Sequence, residues 1–150
     1  MPLQKLKKAF SNPAWIAFTW FGFTAGVSLL ATPIKFSAET ITRAIALDVG
    51  AITFAALNKV ELAALIILLV VVRVSGRSAR WLAICGALAL IVIAQSVWLL
   101  PELTQRTAMV ISGIEPPASY LHAAYSTLEL TKLAILLFAG FMALMEDTRQ

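Results

Sequence analysis

Four long apolar runs constrain this chain more than any other feature of its sequence. A helix needs about 20 mainly apolar residues to cross the hydrocarbon of a bilayer. Runs near 13–32, 51–73, 81–100 and 118–145 each meet that length. In hydrocarbon, every backbone N–H and C=O must be paired within the segment, so such runs have to be helical. The four spans take up most of the 150 residues and leave short connections. The expected fold is therefore all-α, with 1–150 forming one polytopic membrane domain. Its core is a four-transmembrane-helix bundle.

Charged residues make up 13% of the chain, against about 25% in a soluble domain. The net charge of +4 could suggest a nucleic-acid partner, but the cations form no stripe with interleaved aromatics. Nucleic-acid binding is excluded on that ground, and the lipid bilayer is the first partner. The cations collect at the ends of the spans instead. Lys5, Lys7, Lys8, Arg73, Arg77, Arg80 and Arg149 fall on one side, and Lys35, Arg43 and Arg106 on the other. The positive-inside rule then places both termini in the cytoplasm, in a bacterial-type inner membrane. The basic N-terminus resembles a signal peptide. However, its apolar run is long, rich in aromatics and without a clean small-x-small site, so it is expected to remain as the first span.

In span one, Asn12-Pro13 starts the helix and Pro33 is expected to end it. Trp15 and Trp20 read as interfacial aromatics. Gly22 and Gly26 form a GxxxG, which permits close helix approach, and Thr24, Ser28 and Thr32 share one face. Residues 36–50 have an amphipathic helical pattern on Ile41, Ile45 and Val49. That segment could lie in the interface or lead directly into span two. Span two has two registers, and the one starting near Ala51 puts Asn58, Lys59 and Glu61 at mid-membrane. Span three, which contains Gln95 and Ser96, is expected to close at Pro101, leaving 101–117 outside the membrane. Cys85 reads as a small buried hydrophobe; no Cys/His spacing fits a metal site.

Charges inside apolar spans are the second constraint. A charge in hydrocarbon costs upward of about 3 kcal/mol unless it is paired. On a wheel of 100° per residue, His122, Tyr125, Glu129 and Lys132 of span four fall on one face. Further along, that face becomes Gly140 and Ala143, suited to close packing. A rise of 1.5 Å per residue puts Glu61 and Glu129 at a common depth, about 15 Å into the membrane. Lys132 can reach Glu129 at i, i+3. Asn58 shares a face with Glu61, while Lys59 points away and snorkels.

The expected polar layer is thus Glu61, Glu129 and Lys132, with Asn58 alongside and His122 nearer the mouth. Such a layer can fix helix register, bind an ion or ligand, or carry a proton. His122 is the only histidine, so one chain cannot form a bis-His haem. An axial ligand to one pigment, a metal ligand and a plain interfacial histidine all remain open readings for it. The cofactor is unknown.

Residues 22–61 resemble the transmembrane-protein-205-like family of small four-helix membrane proteins. The resemblance lies in Gly22 and Gly26, Thr32-Pro33 with Phe36, Phe54 and Glu61, and in the histidine that opens the last helix, His122. It implies a bacterial-type membrane protein without a settled activity.

No HExxH, GxSxG, Walker or GxGxxG motif is present. The expected role is therefore non-enzymatic. It is that of an accessory or structural subunit, joined to other membrane subunits or to itself through Gly22 and Gly26. The alternative is a small carrier or ion- or ligand-binding protein that uses the Glu/Lys/His layer.

Overall fold

The computed structural model describes residues 11–147. Lys5, Lys7, Lys8 and Arg149, four of the seven cations assigned to the cytoplasmic side, lie outside the described residues. Four helices are long and apolar enough to span a membrane: α1 (Ala14–Lys35), α2 (Arg43–Val74), α3 (Ala79–Ile111) and α4 (Leu121–Asp147). No strand occurs among the described residues.

Local chemistry sets the helix ends. The Asn12 side chain accepts a hydrogen bond from the Ala14 N–H at 2.8 Å, capping a donor that α1 leaves unpaired. The Thr42 side chain accepts from the Ile45 N–H and starts α2. Helices α2 and α3 close in the same way, on Gly76 (φ 60°) and Gly113 (φ 78°). The N–H of Arg77 reaches back to Val72 O, and that of Ile114 to Met109 O. These are Schellman closures, and the left-handed residue they need is cheap only for glycine.

The helices alternate in direction, as short connections require. Ser75 Oγ donates to Ser11 O at 2.5 Å, and both Arg77 and Trp81 Nε1 reach Glu146 Oε2. The α2–α3 turn therefore meets both chain ends. At the far end, Arg43 pairs with Glu115 at 3.1 Å. The core between the ends is built on Trp20, Leu68, Trp81, Leu88 and Leu136. Outward-facing residues are also apolar: Leu90 is 72% exposed and Phe138 63%. An apolar exterior of this kind suits lipid rather than water.

The contact of Glu146 with Arg77 and Trp81 closes the termini end of the bundle. Glu146→Ala is expected to lower stability by only about 1 kcal/mol, since the carboxylate is a third exposed and its ion pair is screened. Thermal unfolding in detergent measures this.

Two expected boundaries are corrected. Pro33 and Pro101 do not end their helices; α1 continues to Lys35 and α3 to Ile111. A π-helical turn precedes each proline, at Gly26–Ala31 and Gln95–Leu99. Proline has no N–H, and its ring collides with the carbonyl four residues back. In the π turns, the N–H groups of Thr32 and Leu100 instead reach five residues back, to Val27 O and Gln95 O. The inserted residue widens the turn, and the helix passes through the proline.

The amphipathic stretch is likewise no separate element: 43–50 are the first two turns of α2. At 32 and 33 residues, α2 and α3 are each about 48–50 Å long, well over the ~30 Å of hydrocarbon. Their excess length lies together at the far end.

Candidate functional site

Two polar features occupy the bundle: a closed layer of side chains at mid-height, and an open cavity at the far end. The layer is centred on Lys132 of α4, which is 0% exposed. Its ammonium lies 2.6 Å from Glu61 Oε1, 2.8 Å from Glu129 Oε2 and 2.8 Å from Gln95 Oε1. An ammonium has three N–H bonds, and here three residues receive them.

The carboxylates gather further donors. Glu61 Oε1 accepts from Trp20 Nε1 at 3.1 Å and from Thr24 Oγ1 at 2.8 Å. Glu129 Oε1 accepts from Ser28 Oγ at 2.6 Å, and Oε2 from Gln95 Nε2 at 2.8 Å. All four helices therefore contribute: α1 through Trp20, Thr24 and Ser28, α2 through Glu61, α3 through Gln95, and α4 through Glu129 and Lys132. No buried side-chain N or O lacks a hydrogen-bond partner among the described residues. That saturation makes burial of three charged groups tolerable.

The expectation that Glu61, Glu129 and Lys132 meet at one level agrees with this geometry. Other members stand elsewhere. Asn58 does not join the layer; its side chain pairs with Ser96 of α3, at 2.8 and 3.0 Å. The i, i+3 spacing puts Asn58 and Glu61 on one broad face, but Asn58 faces α3 while Glu61 faces α1 and α4. His122 is exposed, one turn beyond Tyr125 at the mouth of the cavity. Tyr125 is buried. Its ring meets Phe54 edge-on at 5.3 Å, and it forms part of the cavity wall. Lys59 is exposed, as the wheel indicates.

Sequence reasoning missed Trp20, Thr24, Ser28 and Gln95 as members of the layer. Trp20 read as interfacial, but it is 1% exposed and donates to Glu61. The available signal was the Thr24/Ser28 stripe together with Gln95, the few polar groups in otherwise apolar helices. Both π turns carry a layer residue, Ser28 in one and Gln95 in the other.

The three glycines separate by role. A Cβ at Gly140 would lie 2.6 Å from two carbons of the Phe18 ring, so α1 and α4 meet there more closely than any larger residue allows. A Cβ at Gly22 or Gly26 would meet nothing within 4 Å. The GxxxG faces outward and packs no helix of this chain.

The far-end cavity, of about 290 Å³, is enclosed by the projecting turns of α2 and α3 together with 32–36 and 116–125. Phe54, Leu100 and Leu103 supply apolar wall, and Lys35, Arg43, Arg106 and His122 also line it. Neither a protein-family model nor a curated protein nor a solved structure matches this chain.

Proposed function

We propose that this chain is a non-enzymatic integral membrane protein that serves as an accessory or structural subunit of a larger membrane assembly. The observation that carries this reading is the outward-facing Gly22–Gly26 ridge. It is a close-approach surface with no partner inside the bundle, available to a helix of another subunit or of a second copy. The saturated layer supports the same reading. With all three N–H bonds of Lys132 directed to protein acceptors, the layer fixes the relative positions of four helices and presents no spare donor from that lysine.

In this proposal the membrane is a bacterial cytoplasmic membrane and both termini are cytoplasmic. Among the described residues, Arg73, Arg77 and Arg80 at the termini end balance Lys35, Arg43 and Arg106 at the far end. The orientation therefore rests on the terminal cations. Membership in the transmembrane-protein-205-like family belongs to the same proposal.

Gly22→Leu and Gly26→Leu test the assembly role. Both variants are expected to keep the wild-type thermal midpoint, because an added side chain meets nothing within the chain. They are expected to lose the associated subunit, or the second copy, on purification in mild detergent. Unchanged association in both variants overturns the reading. So does loss of association in a folded Glu129→Gln protein.

A second reading is a small carrier or ligand-binding protein, favoured by one observation: the far-end cavity reaches Tyr125, one helical turn from Glu129. Ion flux into reconstituted vesicles that Glu129→Gln removes would establish it.

A further inference from the structure

We propose that the far-end cavity is a binding site for one anionic phospholipid, with the phosphate held among Lys35, Arg106 and His122 and the acyl part leaving along the apolar wall. This inference goes beyond the assembly role and does not depend on it.

The charge arrangement comes first. Four residues with basic side chains line the cavity, and no Asp or Glu does. Arg43 is neutralised by Glu115. Lys35 and Arg106 form no ion pair among the described residues. Arg106 donates to the Pro117 carbonyl, and Lys35 lies over the Phe36 ring at 5.2 Å. Two cations without counter-ions thus share one concavity with the histidine.

The second observation is Gly50, a buried glycine of α2. A Cβ there would fall 2.3 Å from Lys35 Nζ. The bare backbone at Gly50 is what lets this ammonium lie against α2 at the cavity wall. A lysine at a membrane boundary ordinarily extends its head to water. This one folds inward, toward a cavity with no acid to meet it.

The apolar wall decides the ligand class. Leu47, Phe54, Leu100, Leu103 and Val110 offer nothing to a free inorganic anion, but they match the glycerol and first methylenes of a lipid. A volume of about 290 Å³ holds a headgroup and little more, so the chains must leave through the open side into the bilayer. A zwitterionic headgroup fits less well, because its ammonium would find cations and no carboxylate.

Native mass spectrometry tests this on the full chain in mixed micelles with phosphatidylglycerol, phosphatidylcholine or inorganic phosphate. Wild type is expected to retain one phosphatidylglycerol and to prefer it over phosphatidylcholine. Each of Lys35→Gln and Arg106→Gln is expected to weaken retention about tenfold, the effect of losing one charge-assisted hydrogen bond. Gly50→Ala keeps every charge but displaces the ammonium, and is expected to weaken retention as well. All three positions are far from the Lys132 layer, and thermal midpoints check the fold. Equal retention of phosphatidylcholine overturns the proposal, as does unchanged retention in the two charge variants. Inorganic phosphate that binds as tightly as the lipid overturns the lipid assignment.

Discussion

Lys132→Met is expected to be the most damaging single substitution in this protein. It removes the only cation of the central layer and leaves Glu61 and Glu129 facing each other's field in a site closed to water. Breaking a buried ion pair by removing one partner costs about 3–5 kcal/mol, because the remaining charge has no compensation. Here two carboxylates lose the same partner. The variant should insert poorly, or unfold at a much lower temperature in detergent.

The cause is separable from the loss of lysine packing. In Glu61→Gln/Glu129→Gln/Lys132→Met, methionine keeps most of the volume and no charge is buried. That triple variant is expected to recover most of the lost stability, since replacing a whole buried ionic group by neutral residues is often close to neutral. If the triple variant is as unstable as Lys132→Met alone, charge pairing is not what holds the layer.

Gly140→Leu carries the second large effect. A Cβ at this position already lies 2.6 Å from Cε1 and Cζ of Phe18 and 2.9 Å from Cδ1, and leucine adds three more carbons. The Phe18 ring also packs edge-on against Phe141 at 5.4 Å, which limits where it can move. Overpacking in a well-filled interior costs about 1–3 kcal/mol. Phe18→Ala opens space on the facing helix, so Phe18→Ala/Gly140→Leu should be more stable than Gly140→Leu alone. Additive losses in the double variant would show that the ring is not the obstacle. Gly22→Leu is the internal comparison: the same change on a helix face with nothing nearby should leave the unfolding temperature where it was.

These two experiments concern residues that differ in how legible they were. Lys132 and Glu129 stand out because charge inside an apolar run is costly and their i, i+3 spacing puts them within reach of each other. Glu61 follows from the register that begins near Ala51. Gly140 was readable as a small residue on the same face. Gly22 and Gly26 carry an identical small-residue signal, yet they face outward. Spacing says that a helix could approach closely there; it does not say which helix does.

Trp20 and the prolines show another limit. An indole near the start of a span reads as an interfacial anchor, and its N–H is then satisfied by water. In the bundle that N–H reaches Glu61, forty-one residues away, a partner that no local pattern names. Pro33 and Pro101 read as stops because the local rule is steric and forbids an ordinary α turn. The chain meets that rule with a wider turn and so lengthens both helices. Extending α3 to Ile111 is what brings Leu103 and Arg106 opposite Leu47 and encloses the far-end cavity. The sequence reading had placed that stretch outside the membrane, and so had no cavity to describe.

By itself, then, the sequence determined that this protein is helical, has four spans and buries acids with a lysine. Those outcomes follow from the cost of unpaired backbone and unpaired charge in hydrocarbon, a cost each segment meets alone. The tertiary structure decided which donors saturate the carboxylates, that Asn58 turns to Ser96, which glycines are in contact, and where a cavity opens. Each of these depends on the rotation and height of one helix against another. That placement is set by side chains distant in sequence, packing together only after the helices have formed.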